Sequence, residues 1–548
     1  MATAFPLRPL LAPLTPLGLV LGAVAFSAAL TPSLVPRTGV LQGGLAGMAF
    51  AAVYGLTAGL VMLWSWLGLP DRRVAWACRL AELLALAIIG YGLANATTWQ
   101  NAVNLVAGME PVETARPFII AGVAVGMAVP ALALGRLFRR LTVMAANRMT
   151  RLFPPRLALS LGLVLTAALF WSVGNGVLAT AVLRTLDGTA QQVDALIQPD
   201  LAPPENPLKS GSPASLLSWE GLGARGRARV TAFPDAAQIE ALTGQQAMEP
   251  LRVYVGLNSA ETVEERADLA LAELLRTDAF SREVLVIATP TGTGWVDPSS
   301  VSALEFLWRG DVASVSVQYS YLSSWLSLLV EPEYGEETAR AVFERIYRHW
   351  RSLRPAERPR LYLHGLSLGS LNSELSANVW NILAEPYDGA FWVGPTFANP
   401  LHAQFTAARN PGSPAWRPRV GYGQLVRFAT QDGIDAPAAA PWGPVRILYL
   451  QYPSDAVVFF DPSSAWRPPA WMRDAPAPDV TPAFGWVPVV TFLQLLADLF
   501  AAFGTEPGHG HVYLAEHYID GWAALTDPPG WDEAALEDLR NWYRAQGR

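Results

Sequence analysis

The chain has 548 residues, of which 51% are hydrophobic and only 16% charged, and its formal net charge is -7 at pH 7. That length allows two or three domains, and a composition this apolar is unusual for a fully soluble protein, so part of the chain is expected in lipid. The negative charge disfavours a basic surface that binds nucleic acid. The single cysteine, Cys78, excludes an internal disulfide framework and a cysteine-rich metal site.

Apolar stretches of bilayer-spanning length fill the first third of the sequence. There are five of them: 14–34, 44–67, 77–98, 117–137 and 157–182. Each has about 20 residues or slightly more, the length a helix needs to cross the hydrocarbon core. The first has the form of a secretory signal, but the four stretches behind it favour a retained membrane domain. Residues 1–183 are therefore predicted to form a transmembrane helical domain in the lipid bilayer.

The arginines predict how these spans are oriented. The loop 136–156 has six arginines and no acidic residue, and such loops stay in the cytoplasm. The loop at 71–73 should then also lie inside, and the acidic loop 99–116 outside. Because the predicted number of spans is odd, the N-terminus is placed in the cytoplasm and everything after about residue 183 outside it.

Small residues recur along one face of the second stretch. They are Gly43, Gly47, Ala51, Gly55 and Gly59, spaced four residues apart. Such a face lets another helix approach closely. Packing within the helical bundle is the preferred interpretation, and a homo-oligomer contact through this glycine face is the second.

The membrane domain is followed by a linker and an α/β domain. Residues 184–230 include a stretch rich in Pro, Ser and Gly, and they are predicted to be a linker. Strand patterns occur at 251–257, 282–290, 312–320, 358–365, 389–395 and 445–455, and helix patterns at 261–277, 299–309 and 335–353. Short apolar strands separated by helices predict a mostly parallel sheet covered on both faces, over residues 231–548. The Pro- and Trp-rich stretch 462–488 is predicted to be an excursion from that sheet.

Ser367 lies between two glycines in Gly365-Leu366-Ser367-Leu368-Gly369, directly after the strand pattern 358–365 and before a helix pattern at 370–383. A sharp strand-to-helix turn needs small residues beside the serine so that its hydroxyl is exposed at the end of the sheet. This context favours a nucleophile over an ordinary serine in a tight turn.

A serine hydroxyl needs a base to take its proton and an acid to orient that base. Asp455 follows the strand pattern at 445–455 directly and is the preferred acid, with Asp461 as its competitor. Of the six histidines, only three follow this acid. His509 and His511 lie in a glycine-bearing loop, whereas His517 is expected to be structural. Spacing leaves His509 and His511 both open as the base, with His511 preferred, and either could instead contact the substrate.

Acyl transfer also needs two donors for the oxyanion that forms on the substrate. The backbone N–H of Leu368, directly after the nucleophile, is predicted to be one. The other is predicted in the loop 288–298, where Thr291 and Gly292 can present backbone N–H groups. A plain glycine turn is the alternative interpretation of this loop.

With these residues assembled, the chain resembles a family of bacterial membrane proteins that have an N-terminal multi-span domain and an extracytoplasmic α/β-hydrolase domain. The resemblance rests on the blocks 30–37, 290–298, 310–327, 365–370 and 508–513. It implies a Ser/Asp/His hydrolase fold at the bacterial inner membrane and supports a role for the loop 290–298, but it implies no substrate. His364 departs from the residues usual before the elbow, and it either tunes the site or packs.

The leading hypothesis is a membrane-anchored serine hydrolase that cleaves an ester through an acyl-enzyme, without cofactor or metal. Its location favours a lipid or cell-envelope ester as substrate. Tryptophans at 466, 471 and 486 are candidates for a lid. An acyltransferase with the same triad and a non-catalytic sensor or scaffold that retains the fold are the alternatives.

Overall fold

The computed structural model describes residues 14–69, 75–179, 194, 201–324, 326–327, 332–377, 385–435 and 440–547. The chain forms two compact units. The first, called the helical unit, comprises Met1–Thr185 and Phe460–Glu506, and the second, called the α/β unit, comprises Leu186–Phe459 and Pro507–Arg548. The predicted cytoplasmic loop 71–73, the end of the fifth stretch at 180–182 and the boundary at 183–184 lie outside the described residues.

The helical unit begins with five helices at the five predicted positions. They are α1 Pro16–Ala29, α2 Gly39–Trp66, α3 Ala75–Val106, α4 Pro117–Met149 and α5 Pro155–Trp171, which continues as a π-helix over Ser172–Ala179. Among the described residues, four helices, α2 to α5, are long and apolar enough to cross a membrane. By length and composition the described residues therefore contain four candidate spans where the sequence predicts about five.

Helix α1 is too short to cross a bilayer alone. Its 14 residues rise only about 21 Å, whereas the hydrocarbon core is ~30 Å thick. The predicted span 14–34 overran this helix because Pro32 and Pro36 follow it closely. Proline has no N–H for a helical hydrogen bond and disfavours helical backbone in the residue before it, so the helix stops at Ala29.

The glycine face of α2 divides into two halves. A Cβ at Gly43 would lie 2.7 Å from the carbonyl oxygen of Ile120, and one at Gly47 would lie 2.3 Å from that of Ala124. Both glycines therefore let α4 pack directly on α2. At Gly55 and Gly59 a Cβ would meet nothing within 4 Å, so the second half of the face is open in this chain.

The remaining helices and the strands follow in chain order. The helices are α6 Gly223–Val230, α7 Ala236–Thr243, α8 Val263–Arg276, α9 Pro298–Leu307, α10 Pro332–Ser352, α11 Leu368–Ser376, α12 Pro400–Ala407, α13 Ala456–Phe459, α14 Val490–Ala501, α15 Ala515–Thr526 and α16 Glu533–Ala545. The strands are β1 Leu251–Val255, β2 Val284–Thr289, β3 Val312–Val317, β4 Arg360–Leu366, β5 Gly389–Val393, β6 Val426–Thr430, β7 Gly433–Ile434 and β8 Arg446–Leu450.

The strands form one sheet in the order β1-β3-β2-β4-β5-β8-β6-β7. Neighbouring strands in this order pair parallel, except β6 and β7 at one edge, which pair antiparallel. Two apolar clusters cover the sheet. One includes Phe343 and Trp392, and the other includes Phe391 and Trp522. Neighbouring side chains of one strand, Phe391 and Trp392, thus enter different cores, as expected for a buried parallel sheet. The predicted α/β-hydrolase-type sheet is confirmed.

Two segments fall in different units from those the sequence suggests. Residues 201–230, predicted as linker, group with the α/β unit, where the guanidinium of Arg229 on α6 reaches the buried Glu305 at 3.5 Å. Residues 460–506, predicted within the α/β domain, group with the helical unit. They hold short 3₁₀ turns at Pro462–Ala465 and Ala470–Arg473 and then α14.

Helix α14 is held to the helical unit by a buried ion pair. Arg37, in the connection between α1 and α2, donates from Nε to Asp498 on α14 at 2.7 Å, and both side chains are almost fully buried. The same carboxylate accepts from Ser33 Oγ at 3.1 Å and from the Leu34 amide at 3.2 Å. Because every donor comes from one short stretch of chain, Asp498 joins α14 to the α1–α2 connection.

Candidate active site

Ser367 occupies a sharp turn between β4 and α11. Its backbone has φ 56° and ψ -126°, a conformation that is strained for any residue with a side chain. A Cβ at Gly365 would lie 2.3 Å from the Gly369 carbonyl oxygen, and one at Gly369 would lie 2.3 Å from the Thr289 carbonyl oxygen. Both glycines are therefore required by close backbone approach. The strand, serine and helix follow one another as the sequence predicts.

The acid and the base candidates meet at the end of β8 and in the loop before α15. Asp455 Oδ2 lies 2.6 Å from His511 Nδ1, and Asp455 is fully buried. The other carboxylate oxygen accepts from the Val457 amide at 2.8 Å. A carboxylate held in this way orients the imidazole, favours the tautomer with hydrogen on Nδ1 and leaves Nε2 to act as the base.

The end of β5 connects the serine to this pair. The Ser367 amide donates to the Val393 carbonyl at 2.9 Å. The next residue, Gly394, has φ 49°, and a Cβ there would lie 2.6 Å from His511 Cε1. Val393 thus contacts the turn that carries Ser367, and the next residue, Gly394, contacts the imidazole ring of His511.

The competing base and acid are His509 and Asp461, and Asp461 belongs to the helical unit. His509 is buried two residues before His511, and its carbonyl oxygen accepts from the Val512 amide at 3.3 Å. The side chain of Asp461 accepts from the Ser463 amide at 2.7 Å, which caps a short 3₁₀ turn of the helical unit. The geometry therefore favours His511 over His509 and Asp455 over Asp461.

Other histidines are used for packing. His364 donates from Nδ1 to the Phe391 carbonyl at 2.7 Å, and burial lowers its pKa to about 4. It therefore remains neutral inside the sheet. His517, on the buried face of α15, has its Nδ1 2.6 Å from the Tyr452 hydroxyl, and burial lowers its pKa too. His402 on α12 is also buried, with a pKa of about 4.

The loop after β2 lies against the elbow, since Gly369 packs on the backbone of Thr289 and Pro290. Its two predicted donors are engaged within the protein. The Thr291 amide donates to the Trp295 carbonyl at 2.9 Å, and the Gly292 amide donates to Ser324 Oγ at 3.3 Å. The Gly292 amide is the easier of the two to redirect, because its partner is a long bond to a rotatable hydroxyl.

Leu368 is the first residue of α11, so its N–H has no carbonyl partner within the helix. It also lies at the positive end of the helix dipole, which favours negative charge nearby. These properties suit the predicted role of this amide as an oxyanion donor.

Sequence reasoning missed Tyr513. Its hydroxyl donates to Asp455 Oδ2 at 2.7 Å, so it shares that oxygen with His511. Burial, with the adjacent carboxylate, raises the pKa of Tyr513 well above its usual value, and the phenol therefore remains a donor. Its position two residues after His511, in a block quoted for the resemblance, was the available signal.

A buried polar network beneath the elbow was also missed. Glu374 on α11 accepts from Asn399 Nδ2 at 2.9 Å and from the Tyr449 hydroxyl at 2.8 Å, and burial raises its pKa. Asn399 Nδ2 also lies 3.4 Å from Ser370 Oγ, which donates to the Ser367 carbonyl at 2.7 Å. The network ties the first turn of α11, and with it the elbow, to β8. The sequence marks it only by an acidic residue in a helix of small and apolar residues.

Within the part of the chain that the structure describes, no group of three or more His, Cys, Asp or Glu side chains could hold a metal ion.

Comparison with known proteins identifies the family. A family model described as an alpha/beta-hydrolase family matches residues 251–539, and a second, described as the N-terminus of that family, matches residues 30–234. The chain belongs to this alpha/beta-hydrolase family. The resemblance inferred from the sequence blocks is thereby confirmed, and membership supports a hydrolase.

Other comparisons add little. No curated protein matches the chain. One solved structure, reported for LipS and LipT, two metagenome-derived lipolytic enzymes, matches 49% of this chain and 96% of its own at 15% identity. Its TM-score of 0.15 is too low to support a structural argument.

Proposed function

We propose that the protein is a membrane-anchored serine hydrolase that cleaves an ester through an acyl-enzyme. The observation that carries this proposal is the buried hydrogen bond between Asp455 and His511, together with the end of β5, where Val393 bonds the strained turn of Ser367 and the next residue, Gly394, lies against that imidazole. Membership of an alpha/beta-hydrolase family supports the same reaction class.

In the proposed reaction, His511 Nε2 takes the proton of Ser367 as Oγ attacks the ester carbonyl carbon. The Leu368 amide, together with a redirected Gly292 amide, stabilises the negative charge on the carbonyl oxygen. Collapse of this intermediate expels the alcohol, which receives the proton from His511. A water molecule, deprotonated in turn by His511, then releases the acid and restores Ser367.

Anchoring is supported by the four helices that are long and apolar enough to span. The outward faces of these helices carry large apolar side chains, such as Leu86 at 67% and Phe118 at 91% exposure, which lipid would cover. A substrate ester carried by a lipid or by the cell envelope follows from such a location.

Labelling with a fluorophosphonate probe tests the serine hydrolase directly, because the probe reacts only with an activated serine. We expect the full-length protein in detergent to be labelled and the Ser367→Ala variant to lose all labelling. The matched control is Ser281→Ala, which removes an exposed serine of the α/β unit and should label like the wild type.

A wild-type protein that is folded but stays unlabelled, or a Ser367→Ala variant that still labels, would contradict the proposal. Turnover of a panel of acyl esters of increasing chain length would then define the substrate. Product analysis in the presence of an added alcohol separates hydrolysis from acyl transfer.

A further inference from the structure

The side chains of α14 are distributed in the reverse of the pattern found on a water-exposed helix. Its polar residues, Thr491, Gln494 and Asp498, recur at helical spacing and are all fully buried. The opposite face carries only apolar side chains: Phe492, Leu493, Leu496, Leu499 and Phe500. A surface helix of a soluble protein has its polar face outward, whereas membrane helices turn polar groups toward neighbouring helices.

The buried polar face has specific partners in the helical unit. Gln494 Nε2 donates to the Thr31 carbonyl at 3.1 Å and to the Ala28 carbonyl at 3.3 Å, at the C-terminal end of α1. Asp498 is paired with Arg37, as described above. The Ala28 carbonyl also accepts from the Thr31 amide at 3.1 Å and from Thr31 Oγ1 at 2.6 Å, so Gln494 adds a side-chain donor to a helix end that the local chain already caps. The polar face of α14 thus packs on the C-terminal end of α1 inside the helical unit.

Large exposed side chains lie at the end of the outward face of α14 and in the turn directly after it. Phe500 is 52% exposed, and Phe503, in the 3₁₀ turn Ala502–Gly504 that follows α14, is 53% exposed. Two exposed phenylalanines and three half-buried leucines on one face are costly in water. Covering this apolar surface with lipid removes it from water and is favourable.

Helix α14 cannot cross a bilayer. Its 12 residues rise only about 18 Å. The chain also leaves the α/β unit at Phe459 and returns to it at Pro507, so both ends of the segment 460–506 start from the same side of a membrane. An apolar helix in such a segment must enter and leave the membrane on one side.

The residues that precede α14 suit the border between lipid and water. Trp466 is 66% exposed, and Trp471 and Trp486 are half-buried, within a Pro-rich stretch. Tryptophan is enriched at the level of the lipid headgroups, because its ring is apolar and its N–H is a donor.

We propose that residues 460–506 form a re-entrant membrane element, with the outward face of α14 in the lipid of one leaflet and its tryptophans at the headgroups. The proposal rests on the membrane anchoring proposed above. The partner is the bilayer itself, which covers the apolar faces of α14 and of the spanning helices alike.

The single native cysteine makes the test clean. On a Cys78→Ala background, a nitroxide label is attached to Phe500→Cys or Phe503→Cys in protein reconstituted into phosphatidylcholine vesicles. Leu86→Cys, on α3 and 67% exposed, is the lipid reference, and Arg354→Cys, whose side chain is 81% exposed on the α/β unit, is the water reference. Collisions with oxygen, which partitions into lipid, are compared with collisions with a water-soluble nickel chelate.

We expect labels at 500 and 503 to collide with oxygen far more than with the nickel chelate, as at 86 and opposite to 354. Labels at 500 and 503 that behave like 354, while 86 reports lipid, would overturn the re-entrant element alone. A label at 86 that also reports water would overturn the membrane anchoring on which it rests. Thermal unfolding of each labelled variant shows that it is folded.

Discussion

Both carboxylate oxygens of Asp455 have hydrogen-bond partners within the protein. One oxygen accepts from the Val457 amide, and the other is shared by His511 and Tyr513. A buried carboxylate needs hydrogen-bond donors in place of water, and these three donors fix the position of Asp455 beside the imidazole that it orients. His511 is the histidine that this carboxylate orients, because its Nδ1 lies 2.6 Å from Asp455 Oδ2.

This geometry predicts unequal effects for the two neighbouring histidines. His511→Ala should lower the rate of fluorophosphonate labelling by about 10²–10⁴-fold, because it removes the base. His509→Ala should change it by less than about tenfold, which corresponds to ~1.4 kcal/mol of barrier. Labelling rates measured under pseudo-first-order conditions give both values.

Thermal unfolding of both variants is the control, since both rings are buried. Equal losses of labelling rate at equal stability, or a larger loss for His509→Ala, would remove His511 from the proposed mechanism.

Among the elements, α1 and α14 are two short helices that pack against each other. The ion pair of Arg37 with Asp498 is the polar centre of that contact. Removing one partner of a buried ion pair leaves the other charge unpaired, whereas replacing both with apolar side chains is often neutral.

We therefore expect Asp498→Leu to lower the free energy of unfolding by about 3–5 kcal/mol. The double variant Arg37→Met/Asp498→Leu should recover most of that loss, because no uncompensated charge remains. Thermal or denaturant unfolding in detergent measures both. A double variant no more stable than Asp498→Leu would mean that the cluster acts through its hydrogen bonds to Ser33 and Leu34 rather than through its charges.

Local pattern predicted most elements of the α/β unit, but not all. The strand pattern at 312–320 became β3 at Val312–Val317, and the pattern at 261–277 became α8, whose start is set by a capping box of Thr262 and Glu265. Strand β6 was missed because its five residues include Arg427 and follow a Pro- and Gly-rich stretch. Apolar alternation over so short a run is a weak signal.

Long-range pairing explains what could not be predicted. Arg37 and Asp498 are separated by 461 residues, so no local pattern connects them. The same holds for the choice between His509 and His511, because it depends on which ring reaches Asp455, 56 residues before His511. The loop predicted to hold an oxyanion donor packs beside the elbow, but the hydrogen bonds that the Thr291 and Gly292 amides make depend on how the loop folds, which no local pattern shows.

At the scale of the whole molecule, the orientation does not depend on whether α1 crosses the membrane. The six arginines of 136–156 lie mostly in the last turns of α4, with one in the short connection and one at the start of α5, and this end of both helices is expected inside, so the chain after α5 is expected outside. A short α1 changes only the side of the N-terminus. The shortness of α1 therefore leaves the predicted side of the α/β unit unchanged.

A reporter enzyme that is active only outside the cytoplasm tests this orientation. Fused after Arg548, it should be active, and inserted into the connection between α4 and α5, it should be inactive. Removal of residues 1–38 should leave both results unchanged if the helices α2 to α5 set the orientation. Activity of the inserted reporter would reverse the assignment.

The grouping of residues 460–506 with the helical unit has a consequence for how this gene can be divided. The α/β unit is interrupted after Phe459, four residues after Asp455, and resumes at Pro507, four residues before His511. A single cut after residue 200 would therefore carry α14 away from Arg37, leaving Asp498 without its ion pair and the Leu and Phe face of α14 in water. A fragment that contains the α/β unit alone requires a second excision, of 460–506, with a short link that rejoins the chain between Asp455 and His511.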